Sequence, residues 1–146
     1  MPETAEAEEV WARIVGAKRQ AVQGECPECA GLTPERVVWE DEFWILSYTD
    51  GPEEMAASLL LQTREHTRVG QLDDDLASQF GRISNRLVRI IENLPESAHV
   101  DVSRYGAHRG HFHVWFFAPF MEGTFSPVNL HTVATKLANW GGEIRI

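Results

Sequence analysis

Gly110-His111-Phe112-His113-Val114-Trp115-Phe116-Phe117 is the stretch whose reading decides the fold. It is apolar enough for a buried strand, yet it carries two imidazoles at a spacing of two. Side chains two apart on a strand share a face. The pattern therefore predicts that His111 and His113 point one way, with Phe112, Val114 and Phe116 turned into a core on the other. An imidazole is a good nucleophile toward phosphorus when one ring nitrogen is unprotonated and the other is anchored by an acceptor. Two histidines on one strand suit a pair of metal ligands equally well, and the residues alone leave both readings open.

Working back from that strand, His99 to Tyr105 reads as its antiparallel neighbour, joined to it through the Gly106–Gly110 loop. Leu72, Leu76, Phe80, Ile83, Leu87, Ile90 and Leu94 recur at three or four, which predicts one long helix over 71–94. Asp73-Asp74-Asp75 suit its N-terminal dipole, and Pro95 stops it. Ser58-Leu59-Leu60-Leu61-Gln62 is a short apolar run, expected as a central strand that delivers His66 at its end. Residues 36–40 and 43–47 read as a hairpin around Asp41-Glu42, followed by a loop at Asp50-Gly51-Pro52. Downstream, Ser126-Pro127 is expected to open a short helix that Gly141-Gly142 ends. Residues 3–22 read as an amphipathic helix with Val10, Trp11, Ile14 and Val15 on one side, closed by Gly24. The expected organisation is an N-terminal helical extension over 1–24 and one α+β domain over 25–146.

Composition narrows the function. The 146 residues carry a net charge of -9, with thirteen basic against twenty-two acidic side chains. That excess argues against general affinity for nucleic acid, which relies on Lys and Arg neutralising phosphates, but leaves room for a small nucleotide in a local positive cup. A 43% apolar content and a mean hydropathy of -0.27 describe an ordinary globular chain. No run approaches the ~18 apolar residues of a membrane span, and the acidic, Ala-rich start is unlike a signal peptide, so a cytoplasmic protein without a membrane partner is expected.

The two cysteines, Cys26 and Cys29, stand two residues apart. The βαβ surroundings of a thioredoxin-like redox pair are missing, so a metal knuckle is the better reading. Zinc is most often held by four Cys or His ligands in a tetrahedron, of which this pair supplies half. The gaps to His66 and His111 are far too long for a zinc finger. They fit a closed structural site in which the ion pins the knuckle to the ends of two strands. His99 and His131 are expected at the surface, and His108, in a Gly-flanked loop, is expected to face a substrate.

Taken in order, the knuckle at Cys26/Cys29, the segment Val37–Asp50, the strand with its histidine Leu59–His66 and the block His111–His113 resemble the histidine-triad superfamily over roughly residues 25 to 120. The resemblance implies an antiparallel sheet of about five strands with one long helix, a homodimer with the 3–22 helix or the long helix near its interface, and a nucleotide or nucleotide conjugate as substrate. It implies zinc on Cys26, Cys29, His66 and His111. It implies that His113 attacks the α-phosphorus and forms a nucleotidyl-histidine, making the protein a nucleotide hydrolase or nucleotidyl transferase. It also implies an aspartate on the ribose hydroxyls, with Asp50 the nearest match and Asp41 the alternative. The third polar residue of the family block is replaced here by Trp115, which narrows the phosphate end of the pocket. Arg104, His108 and Arg109 are the candidates to replace the missing phosphate donor, since arginine forks suit phosphate. A zinc-stiffened binding module that has lost the chemistry is the second reading.

Overall fold

The computed structural model describes residues 33–51, 55–104 and 111–146. The expected helix over 3–22, the boundary at residue 24, Cys26, Cys29, His108 and Arg109 lie outside them.

A hairpin begins the described fold. Strand β1 (Val37–Glu40) turns into β2 (Trp44–Tyr48) because Asp41 closes the bend from within: its Oδ1 accepts the backbone N–H groups of Phe43 and Trp44 at 2.9 and 2.8 Å. Strand β3 (Met55–Thr63) is longer than the apolar run alone predicted. It extends back through Ala56 and Ala57, whose small side chains are buried on the sheet. Helix α1 (Asp74–Glu92) follows the predicted stripe, burying Ile83, Leu87, Ile90 and Ile91, and the Asp73 side chain caps it by accepting from Leu76 N–H at 2.8 Å. Strand β4 (Asp101–Ser103) starts two residues later than predicted, and β5 (His113–Pro119) starts two residues later and runs two further.

Two expectations at the C-terminal end need correction. The second helix, α2 (Leu130–Ala138), starts at neither Ser126 nor Pro127. Asn129 caps it, accepting from Thr132 N–H at 3.2 Å, while Val128 is still tied to Ala56 by a backbone bond of 2.9 Å. The chain before Asn129 is thereby committed to the sheet. Beyond α2, the Gly141-Gly142 pair turns the chain back as a short strand, β6 (Glu143–Ile144), which pairs with β1. Among the described residues the sheet therefore has six strands where about five were expected, in the order β4-β5-β3-β2-β1-β6, with every pairing antiparallel.

One face of the sheet and the two helices share the core. Trp44, Leu46, Leu59, Leu61, Val114 and Phe116 are buried against α1 and α2 residues such as Leu87, Ile91, Val133 and Leu137. At one end of this core Trp44, Phe80 and Phe112 meet edge to face or tilted at 5.1 to 6.0 Å, and Trp44 Nε1–H donates to Gln79 on α1 at 3.1 Å. Among the described residues no helix is long and apolar enough to cross a membrane.

The β6 return depends on close approach at one glycine. Gly142 has φ +80°, and a Cβ added there would fall inside the indole of the buried Trp39, whose Nε1–H donates to Gly141 O at 3.0 Å. Gly142→Ala is expected to destabilise the fold by about 2–4 kcal/mol, from left-handed strain and displacement of the indole together. Urea unfolding measures this, and a loss below about 0.5 kcal/mol would contradict the packing described.

Candidate functional site

The register of β3 against β5 builds the site. His113 lies opposite Gln62, Trp115 opposite Leu60 and Phe117 opposite Ser58, so these six side chains share the face turned away from the helices. His113 is fully buried on that face. Beside it Trp115 and Phe117 are partly exposed and stacked at 5.6 Å with their planes 6° apart. The indole meets the His113 ring edge-on, at 6.4 Å and 84°. Trp115 thus forms a wall next to His113, propped upright by Phe117.

His111 stands just outside the strand, which begins at His113, so strand alternation does not position it as the spacing suggested. The turn after β3 does. Phe112 N–H donates to Thr67 O at 2.6 Å, and His111 Nε2–H donates to Thr63 O at 3.0 Å. This stitching brings His66 alongside His111, with ring centroids 4.8 Å apart and planes inclined by 59°. His66 and His111 are the two described members of the four expected zinc ligands. Among the described residues no group of three or more His, Cys, Asp or Glu stands together as a metal cluster.

The two histidines of the block are held in opposite tautomers. A backbone carbonyl only accepts, so His111 bonded through Nε2 keeps its lone pair on Nδ1. His113 bonds through the other nitrogen: its Nδ1–H donates to His111 O at 2.7 Å, which leaves the lone pair of the neutral ring on Nε2. A metal-binding imidazole characteristically donates its second ring nitrogen to a carbonyl or carboxylate, and His111 meets that requirement beside His66. The residues present therefore fit half of a tetrahedral zinc site. His113, anchored at Nδ1 in the way a nucleophilic imidazole requires, differs from His111 in the nitrogen it presents.

The remaining predicted residues are spread more widely. Asp50 follows β2 at the end of the sheet away from His113 and is exposed, with Arg36 Nη2 donating to its Oδ2 at 2.7 Å. That hydrogen bond, reinforced by the guanidinium charge, holds the Asp50 carboxyl below the usual carboxylate range. Asp41, the alternative ribose contact, is engaged in the hairpin turn. Arg104 lies 4.9 Å over the Phe112 ring, at the edge of the helix-side aromatic cluster, and burial draws its pKa down from the ordinary guanidinium value. The structure therefore brings together His66, His111, His113 and Trp115 and leaves Asp50 and Arg104 apart from them. His99 and His131 are exposed, as expected. Gln62, which sequence reasoning took only as the end of a strand, is 1% exposed and directly opposite His113. Its signal was a polar residue closing an apolar run, which becomes legible only once the strand pairing is known.

The Arg36–Asp50 pair has a defined pH dependence. A carboxyl depressed in the folded state stabilises the fold above its unfolded pKa of about 3.9, and that contribution disappears as pH falls through the lower folded value. Both partners are at the surface, so salt screens the effect. Side-chain NMR is expected to show Asp50 titrating below the usual range, and Arg36→Gln is expected to return it upward. An unchanged Asp50 midpoint in that variant would remove the pairing.

Neither a protein-family model nor a curated protein sequence matches the chain. Solved structures do. A zinc-bound histidine triad family protein from Mycobacterium smegmatis superposes with a TM-score of 0.52 at 16% identity, over 80% of this chain and 95% of that one. A hypothetical histidine triad nucleotide-binding protein from Sulfolobus tokodaii strain 7 superposes with a TM-score of 0.52 at 15% identity, over 77% of this chain and 89% of that one. The six-stranded antiparallel sheet with its long helix, carrying His66, His111 and His113 at the ends of β3 and β5, is the histidine-triad fold.

Proposed function

We propose that the chain is a histidine-triad nucleotide hydrolase or nucleotidyl transferase that works through a nucleotidyl-histidine on His113. The observation that carries this reading is the buried His113 ring anchored through Nδ1–H on His111 O at 2.7 Å. In the first step the Nε2 lone pair forms a bond to the α-phosphorus of a nucleotide conjugate. The bond from phosphorus to the leaving group breaks, and the leaving group departs with that electron pair and takes up a proton. In the second step water, or another hydroxyl acceptor, attacks the phosphorus and gives up its proton. The N–P bond then breaks and the pair returns to Nε2, so His113 is regenerated and a nucleoside monophosphate, or its ester, is released. The carbonyl of His111 keeps the ring oriented and stabilises the positive charge that develops on it.

Asp50 is proposed to accept from the ribose hydroxyls. His108 and Arg109 complete the phosphate-facing set of this proposal from outside the described residues. Zinc, held by Cys26, Cys29, His66 and His111, would serve as a structural cross-link between the chain before β1 and the ends of β3 and β5. The Mycobacterium smegmatis protein is zinc-bound, which supports this assignment, as does the tautomer of His111.

A second reading, a nucleotide-binding module without chemistry, draws on Trp115. An indole standing 6.4 Å from the His113 ring occupies space that a smaller polar donor leaves open in the family block. If chemistry is retained, the same wall keeps water from the phosphorus and favours transfer to a specific acceptor over general hydrolysis.

The metal and assembly expectations are tested on one sample prepared without chelator. Metal analysis is expected to return one zinc per chain, lost on replacing Cys29 with a fall in melting temperature, and light scattering a particle of twice the chain mass. An empty metal site ends the zinc assignment, and a monomer mass ends the dimer. For the reaction, the protein is mixed with an adenosine or guanosine phosphoramidate or a dinucleoside polyphosphate and then weighed intact after a neutral quench. A nucleotidyl adduct or released monophosphate is expected, with His113→Ala at least about a thousandfold slower, and Trp115→His is expected to gain general hydrolysis. A wild-type protein inert across the whole panel defeats the enzyme reading.

A further inference from the structure

Gln62 is out of place as a core residue. It is 1% exposed, and its Oε1 has no hydrogen-bond partner among the described residues. Buried side-chain amides are ordinarily satisfied, because burying one without a partner forfeits its hydrogen bonds to water. The face on which it lies explains what a partner would be. Ile45, Gln62 and His113 form one row across β2, β3 and β5, on the side turned away from the helices. Directly opposed residues place their Cβ atoms about 4.5–5.5 Å apart, so the Gln62 carboxamide and the His113 imidazole rise from the sheet side by side.

We propose that Gln62 is a phosphate-binding residue of the His113 site, its carboxamide N–H donating to a non-bridging oxygen of the phosphate that His113 engages. The proposal deepens the reading of His113 as nucleophile and rests on it for the position of the phosphate. A reacting phosphorus lies about 3–3.5 Å from the attacking nitrogen, within the reach of a neighbouring glutamine. A phosphoryl group under attack carries its charge on its non-bridging oxygens and needs donors aimed at them. In this chain Trp115 holds the third place of the block, with its ring stacked flat on Phe117. The donor is thereby moved from β5 to the facing strand. A neutral amide suits the place: it has two N–H groups for the phosphate and brings no charge into a buried row beside His113. Which end of an amide is nitrogen is decided by its hydrogen bonds. With Oε1 lacking a partner, rotation of the carboxamide can present N–H to an arriving phosphate.

The test uses the full chain with Gln62→Met, which keeps length and removes the donor, and Gln62→Glu, which keeps shape and adds charge. Two readouts are taken: the rate of adduct or monophosphate formation from a nucleoside phosphoramidate, and the Gln62 side-chain amide signals of labelled wild-type protein titrated with AMP and GMP. The expected result is a rate loss of about thirtyfold to a thousandfold in both variants. The melting temperature of Gln62→Met is expected to be equal or higher, and the wild-type amide signals to shift on saturation. An active wild type whose Gln62→Met variant stays within threefold, with amide signals unmoved by either nucleotide, overturns the proposal and leaves His113 in place. A wild type that forms no adduct, yet shows the shift and binds AMP at least tenfold more tightly than Gln62→Met, supports the phosphate contact while removing the enzyme. A wild type that neither reacts nor shifts ends both. The titration is done on unsubstituted protein, so it decides the question even where a variant fails to fold.

Discussion

The pairing of β3 with β5 is the constraint on which the rest depends. It is the longest ladder in the sheet, running from Met55 opposite Pro119 to Gln62 opposite His113. Because side chains alternate, its register decides at once which residues meet the helices and which lie on the opposite face. Leu59, Leu61, Val114 and Phe116 go to the helices, and Leu60, Gln62, His113 and Trp115 go to the other face. A slip of one residue would send His113 into the apolar layer under α1 and Phe116 toward the site. The hydrophobic burial that stabilises the fold therefore also holds His113, Gln62 and Trp115 together on the opposite face.

At the end of that ladder, backbone carbonyls separate two histidines that the sequence makes nearly equivalent. Thr63 O takes the Nε2–H of His111, and His111 O takes the Nδ1–H of His113. Each bond fixes which nitrogen carries the lone pair, and the two differ. The two rings are distinguished without any further side chain, since the acceptors are main-chain groups that the strand ends would otherwise leave to water. The same turn that supplies Thr63 O carries His66 to the His111 ring. The placement of His66, His111 and His113 thus issues from the hydrogen bonds between the turn after β3 and the residues that lead into β5.

Most of the fold was legible because its signals are periodic. The stripe in α1, the alternation in β5 and the apolar run in β3 each survive without knowledge of their partners. What was missed follows from tertiary competition. Pro127 is a reasonable helix opener, but Val128 is bound to the sheet and Asn129 caps better, so α2 begins later. β6 is two residues long and gains its identity only from lying beside β1. At the site, His66, His111 and His113 could be named from spacing and resemblance. That Asp41 Oδ1 closes the hairpin turn could not be read from the sequence, because only coordinates display its two hydrogen bonds. Gln62 was hidden for a similar reason, since nothing in a linear run says which neighbour will stand across the ladder.

Trp115 gains a physical meaning when read with Phe117 and Leu60. An indole at that position would be a liability if it were free to fall onto His113. Stacking on Phe117, with planes 6° apart, gives it a stable resting place, and its edge-on approach at 84° keeps the ring upright beside the imidazole. Offset and edge-to-face contacts of this kind each contribute about 0.5–1.5 kcal/mol beyond their area. The substitution at the third place of the block is therefore supported by its surroundings on the same face, which a merely tolerated bulky residue would not require. Braced in this way, the indole stays on its own strand and leaves Gln62, on the facing strand, directly opposite His113.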